Sequence, residues 1–408
     1  LSSRATSPRD LRLGFVSARS AYLGTEPDGK AGLWTDAGLG RLIDQLKQRV
    51  PNLKVALSSI PSPLPLFDHR LDLEAADFLP LPFLPSVRGG LPKSRACRRV
   101  LRRLEEESDA LLVQLPFAAT PALLGARRPR LYHLCADVLK QTQTSPYYRG
   151  LRRLPALAVA HGVDSLQRHL VHRRDSRAVT HGADLRRHYG EPPGRWVVSS
   201  TLLAEEIGSI PRQRPRDAPI RVLFVGYLRH EKGFDVLLEA FRQLLRHHPD
   251  AEMEIVGAMD YKDSGADDQL RQGLSTLDES GRVRLLGPRA FGPELFRRFA
   301  DADVLVLPSR SEGTPRVLVE ARAFGCPVIA SRVGGIPSSV DHEVDGLLFP
   351  PGDAEALAAQ LIRFADDPQL RHRLRERGLE RARRHTVEAF ADELVEELGL
   401  LMEEAEQR

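Results

Sequence analysis

Cysteine is scarce in this chain: Cys97, Cys135 and Cys326 are the only three among 408 residues. None lies in a CxxC pair or another local metal-ligand spacing. A disulfide framework and a zinc module are therefore not indicated, and the thiols are expected to be reduced, as in a cytosolic protein. Long apolar runs are missing too; no stretch approaches the roughly 18 residues that a membrane-spanning helix needs. The opening residues, LSSRATSPRD, lack the apolar core of a signal peptide and read as a short disordered tail. Charge of one sign is also in short supply. The formal net charge is +4 and the basic residues are not gathered in one half, so no nucleic-acid footprint stands out. A strict GxGxxG is absent, which leaves a dinucleotide site unsupported.

What is present is an ordinary globular composition, 42% hydrophobic and 28% charged, long enough for two domains with a core in each. Apolar strand patterns alternate with helical ones in two sets. The first set comprises Leu11–Ser17, Leu53–Ile60, Ala110–Pro116, Arg130–Asp137, Arg177–Gly182 and Arg195–Ser200. The second comprises Ile220–Leu228, Ala251–Ala258, Arg282–Gly287, Ala302–Ser309 and Pro327–Gly334. Continuous apolar runs fit parallel strands covered on both faces, and the alternation predicts two doubly wound α/β sheets rather than one barrel. The proline-rich, charged stretch Ile210–Pro219 reads as a linker between residues 1–209 and 220–385. The final stretch, 386–408, has helical periodicity and is expected to pack back toward the first domain.

The chemistry-bearing pattern is Glu312-x7-Glu320, in the sequence SEGTPRVLVEARAFGCPVIAS. A strand ending near Ser309 runs into a loop of small residues, and a helix is expected from about Thr314. Free backbone amides and the positive end of the helix dipole would then face an anion at the strand's C-terminal end. A second loop, Gly226–Gly233, follows the strand that opens the second domain. Gly226 permits close approach of backbone to ligand, while Arg229 and Lys232 lie beside the next helix N-terminus.

These two segments resemble the retaining GT-B glycosyltransferases of family four. The resemblance is carried by Gly226–Gly233 followed by FDVLLEA, and by Ser311–Asp353 with its EGxPxxxxEAxAxGxPVIAS pattern. It covers the chain from about Ile220 to Ala365. It implies a GT-B fold, two Rossmann-like domains facing a cleft. It also implies a nucleotide-sugar co-substrate, with no metal and no other cofactor. By the resemblance Lys232 contacts the donor diphosphate, Glu312 reaches the donor sugar and Glu320 binds the ribose hydroxyls. The segment Gly313, Thr314, Pro315, Arg316 and Val317 contacts sugar and phosphate, and Arg289 frames the base. Two positions depart from the pattern. Tyr227 stands where the family commonly has arginine, which leaves Arg229 to supply the charge. The strand ending Gln114-Leu115-Pro116 lacks the family's histidine. Gln114 can hydrogen-bond a sugar but cannot exchange a proton. His133, on the following strand, is an acceptor-side candidate by proximity; a hydrogen-bonded core histidine is the other reading.

In the first domain, Gly29 and Gly32 fall in a glycine-rich segment, Gly24–Gly40, which reads equally as a phosphate-facing loop or as surface. Asp301-Ala302-Asp303 satisfies the Asp-x-Asp pattern of metal-dependent transferases, but it sits at a helix–strand junction, where acids serve as turn residues. The segment Arg95–Arg103, followed by Glu105–Glu107, places its charges against a helix dipole. With Tyr147, Tyr148, Arg149, Arg152 and Arg153, it reads either as a solvated charged face or as peripheral contact with an anionic membrane.

The expected activity is retaining transfer of a sugar, UDP-linked, to an acceptor hydroxyl in glycan, glycolipid or natural-product glycoside synthesis. A sugar-nucleotide 2-epimerase of the same fold and a non-catalytic sugar-nucleotide-binding subunit are the rivals.

Overall fold

The structure, a computed structural model, describes residues 8–25, 31–62, 64, 67–84, 87–125, 127–144, 148, 150, 153–215, 217–228, 230–257 and 281–408. The chain divides into two compact units. Unit 1 comprises Leu1–Gln143, Gly150–Val197 and Val387–Arg408; unit 2 comprises Thr144–Arg149 and Val198–Thr386.

Among the described residues, unit 1 holds a nine-stranded sheet. Its strands are β1 (Arg12–Thr25), β2 (Ala31–Thr35), β3 (Asn52–Ile60), β4 (His69–Arg70), β5 (Phe78–Leu81), β6 (Ala110–Leu115), β7 (Arg130–Leu134), β8 (Ser176–His181) and β9 (Gly194–Val197). β1 pairs in parallel with both β3 and β6, and the parallel series continues from β3 to β5 and from β6 through β7 and β8 to β9. β2 and β4 are the short antiparallel additions. Leu111, Val113, Leu115, Tyr132 and Leu134 pack with Leu101 and Leu104 of the helix Ser94–Glu106 in the core.

Among the described residues, unit 2 holds six parallel strands in the order β12-β11-β10-β13-β14-β15. They are β10 (Arg221–Val225), β11 (Glu252–Val256), β12 (Val283–Gly287), β13 (Val304–Leu307), β14 (Val328–Ser331) and β15 (Leu347–Phe349). Because side chains alternate across a strand, the buried runs serve two layers at once. Val222, Phe224, Val304, Val306 and Ile329 pack under the helices Phe234–His247 and Ala354–Asp366. Leu223, Leu305, Leu307, Val328 and Ala330 pack on the other side, with Phe296 and Phe299 of the helix Pro293–Asp301. The strand order reverses between β10 and β13. In open α/β sheets a ligand crevice forms at the C-terminal edge of such a reversal.

Several expectations change. The segment read as a linker, Ile210–Pro219, is tied into unit 2. Arg212 and Arg214 pair with Asp303 at 2.7 and 2.9 Å, and the Gln213 amide donates to Asp301. Leu202 joins the apolar core there. The division between units therefore falls at Val197/Val198, upstream of the proline-rich stretch. The same bonds occupy Asp301 and Asp303 structurally. The expected glycine-rich loop is partly strand: Gly32 lies in β2, opposite Gly24 of β1. The following helix starts at Ala37, capped by the Asp36 carboxylate accepting from the Leu39 amide. Gly29, Tyr147, Arg149 and Arg152 lie outside the described residues.

The adverse charge order of the helix Ser94–Glu106 is met within the protein. Glu105 accepts from the Arg127 amide, and Glu107 pairs with Lys54 and Arg103. Among the described residues no helix is long and apolar enough to cross a membrane. The helix Val387–Glu406 belongs to unit 1, where buried Glu397 accepts from Arg177 at 2.8 Å and from Arg195 at 2.7 Å.

Candidate active site

Unit 2 brings its loop residues together where the strand order reverses. The chain leaves β10 at Gly226 and passes through Lys232 into the helix Phe234–His247. It leaves β13 at Pro308 and passes through Glu312 into the helix Val317–Ala323. The Lys232 ammonium donates to Glu312 Oε1 at 2.6 Å, and the Ser309 hydroxyl donates to the same oxygen at 2.7 Å. Glu312 is thus held by two donors from opposite sides of the β10/β13 reversal. Arg310 clamps the other edge with a bidentate contact to Asp235, both bonds at 2.7 Å.

Two glycines make this closeness possible. Gly233 has φ +65°, and a Cβ there would lie 1.9 Å from the Pro308 carbonyl oxygen. Gly334 has φ +56°, and its Cβ would lie 2.0 Å from the Glu312 carbonyl oxygen. The loops after β10 and β14 therefore press on the loop after β13 through positions that only glycine occupies without strain. The Gly335 amide adds a hydrogen bond to the Gly313 carbonyl at 2.9 Å.

The helix expected from Thr314 begins at Val317, because Arg316 has the capping position and Pro315 lies before it. Gly313, Thr314 and Pro315 are consequently loop. The Thr314 hydroxyl is buried with no hydrogen-bond partner. Glu320 falls in the first helical turn and so sits near the positive end of the short helix. It is buried and accepts from the Thr201 hydroxyl at 2.9 Å. Burial pushes its carboxyl above the ordinary carboxylate value; the Arg316 charge and the Thr201 hydrogen bond oppose the shift.

Arg289 follows the end of β12, where its guanidinium lies 2.5 Å from Glu294. Arg229 lies outside the described residues. Gly226 has φ +152°, and Tyr227 beside it is exposed.

The acceptor-side candidates are placed in unit 1. Gln114, near the end of β6, accepts from the Ser17 hydroxyl of β1 at 2.6 Å. It is in register with His133 of β7. His133 is buried, and its Nε2 lies 2.6 Å from Nε2 of His181 at the end of β8. Burial, with His181 adjacent, holds the His133 imidazole well below its ordinary pKa. Cys135 Sγ stands 3.5 Å from the same His133 nitrogen. His133 and Cys135 are two residues apart, but His181 joins them only through the pairing of β7 with β8, which no local spacing announces. Thr201 carries no signal in the sequence either, since it stands 119 residues from Glu320. Ser309 closes the expected strand Ala302–Ser309 and Gly334 lies within Ser311–Asp353, but neither carries a separate signal in the sequence.

Fold and site together describe a doubly wound α/β protein whose second unit sets Lys232 against Glu312 beside the reversal of strand order, with buried Glu320 in the helix that follows. Comparison with known proteins assigns that description more closely. Residues 209–381 match the family model of the glycosyl transferases group 1. Over 161 residues the chain is 40% identical to the amylovoran biosynthesis glycosyltransferase AmsK of Erwinia amylovora, covering 37% of this chain and 38% of that protein. The chain spans about half, or less, of the curated relatives it matches. Among solved structures, sucrose-phosphate synthase from Thermosynechococcus elongatus superposes with a TM-score of 0.66 at 21% identity, covering 96% of this chain and 98% of that one. HepE of Anabaena, solved in complex with UDP, gives 0.63 at 21% identity, covering 95% and 99%. At those identities the likeness is one of fold, and the fold is GT-B.

Proposed function

We propose that the chain is a retaining glycosyltransferase that moves a sugar from a UDP-linked donor to an acceptor hydroxyl. The observation that carries this is the Lys232–Glu312 pair set between the ends of β10 and β13, with Glu320 eight residues on. The group 1 match over residues 209–381 and the UDP bound in the HepE structure favour the donor class. Polysaccharide synthesis is favoured by the AmsK relative.

In this reading the leaving diphosphate is the group that needs stabilising, because negative charge grows on it as the glycosidic bond breaks. Lys232 and Arg229 supply cations, and the amides of Gly313, Thr314, Arg316 and Val317 supply donors. Those side chains and amides take the role that a metal has in other transferases, so the proposed reaction calls for neither metal nor resident cofactor. Lys232 exchanges its contact with Glu312 for one with phosphate, which frees the carboxylate to orient sugar hydroxyls. Glu320 accepts from the ribose hydroxyls, Arg289 lies at the base, and the leaving phosphate oxygen takes the acceptor proton.

Replacing Lys232 removes a charge-assisted hydrogen bond, about 1.5–3 kcal/mol in binding and more in the transition state. Lys232→Ala is therefore expected to lose at least about tenfold in transfer rate, with its melting temperature nearly unchanged. Full activity in that variant would remove the diphosphate assignment. A UDP-induced rise in melting temperature tests the donor class, and the anomeric proton coupling of the product tests retention. Incubation with UDP-sugars and no acceptor tests the epimerase reading, which an epimerised sugar nucleotide would establish.

A further inference from the structure

The group at the ends of β7 and β8 lies outside the chemistry assigned to unit 2. His133 Nε2, His181 Nε2 and Cys135 Sγ all lie within 4.8 Å of one another. The two imidazole nitrogens are 2.6 Å apart, and the sulfur is 3.5 Å from His133 Nε2. His133 is 1% exposed, and its other ring nitrogen is buried with no hydrogen-bond partner, so no second contact fixes its tautomer. His181 and Cys135 are half-buried, which leaves a route from solvent. Phe390 of the helix Val387–Glu406 packs on the pair, its ring centroid 5.1 Å from that of His133 and 6.1 Å from that of His181.

A tetrahedral zinc ion has bonds of about 2.0–2.1 Å to imidazole nitrogen and about 2.3 Å to thiolate sulfur. Those lengths place nitrogen and sulfur about 3.5 Å apart, and two nitrogens about 3.3 Å apart. The Cys135–His133 separation already meets the first figure. The His133–His181 contact meets the second after opening by about 0.7 Å, a small rotation of the half-buried His181 ring. Two nitrogens and one sulfur suit a borderline ion better than magnesium or calcium, which take oxygen ligands.

We propose that His133, Cys135 and His181 form a binding site for a divalent cation of the zinc class, with solvent as the fourth ligand. The cluster Asp137, Asp164 and His188 is a weaker claimant. Both imidazole nitrogens of His188 already face carboxylates, Asp164 at 2.7 Å and Asp137 at 3.4 Å.

The test uses the full chain without a polyhistidine tag, stripped with chelator and dialysed against zinc or cobalt. About one equivalent of zinc is expected to be retained. Cobalt is expected to give a thiolate-to-metal charge-transfer band in the near ultraviolet. Cys135→Ser should abolish that band and weaken retention at least about tenfold, His181→Ala should do the same, and His188→Ala should change neither. Circular dichroism checks that each variant folds; should His181→Ala not fold, the Cys135→Ser result decides. Zinc content unaffected by Cys135→Ser, cobalt spectra without a sulfur band, or no zinc retained by the native chain would each overturn the site.

Discussion

At the scale of single residues, the buried Glu320 is the most exposed to test. Its carboxyl titrates above the ordinary value because burial penalises the anion, with Arg316 and Thr201 only partly compensating. The folded chain therefore keeps a proton at pH values where the unfolded chain has released it. The resulting stability is complete below the ordinary carboxylate value and is lost as pH rises through the raised one. Glu320→Gln keeps an oxygen for the Thr201 hydroxyl and never ionises. We expect it to melt higher than the native chain at about pH 7, with the gap closing toward about pH 4, while UDP binding weakens at least about tenfold. Thermal melts at the two pH values and a UDP titration check both halves. A gap that widens toward acid would show that burial is not what governs this carboxyl.

At the scale of elements, the loops following β10, β13 and β14 act as one braced unit. Gly233 faces the Pro308 carbonyl, and Gly334 faces the Glu312 carbonyl. Gly233→Ala must accept a left-handed backbone and displace a carbonyl, at a cost of about 2–3 kcal/mol or more. The expected outcome is a lower urea midpoint together with weakened UDP binding; a midpoint within error of the native chain would contradict the close approach. This braced region was partly legible in sequence because its pieces are local. Gly226, Lys232, Glu312 and Glu320 each sit in a short strand–loop–helix segment whose residue types announce it. The helix starts three residues beyond the expected Thr314, since Pro315 and Arg316 belong to the turn before Val317. At two to five residues, the strands β2, β4, β5 and β15 are too short for a pattern to declare itself. The contacts Thr201–Glu320 and His133–His181 depend on chain crossings that no local pattern encodes.

At the scale of the whole molecule, each unit is held by ion pairs that its core shelters. In unit 1, Glu397 is 2% exposed and accepts from two arginines, while Arg177 also contacts Glu404 and Arg195 also contacts Glu396. Glu397→Ala leaves both cations half-satisfied. We expect a loss of about 2–3 kcal/mol, below the about 3–5 kcal/mol of wholly buried pairs because the outer carboxylates remain. Denaturant unfolding measures the loss, and hydrogen exchange should show it concentrated in β8 and β9. Uniform exchange across both units would contradict the assignment of the helix Val387–Glu406 to unit 1. The alternation of strand and helix foretold two doubly wound sheets, but not where one unit ends. The proline-rich stretch reads as a linker, yet its arginines are spent on Asp303, and the division between units lies earlier.

The shared carboxylate of Glu397 lies 220 residues beyond Arg177 and 202 beyond Arg195. On the ribosome, the long stretch of unit 2 is translated whole before that glutamate is joined to the chain. The earlier-made unit therefore waits on the later one for its closing helix, and its order of synthesis is not its order of completion.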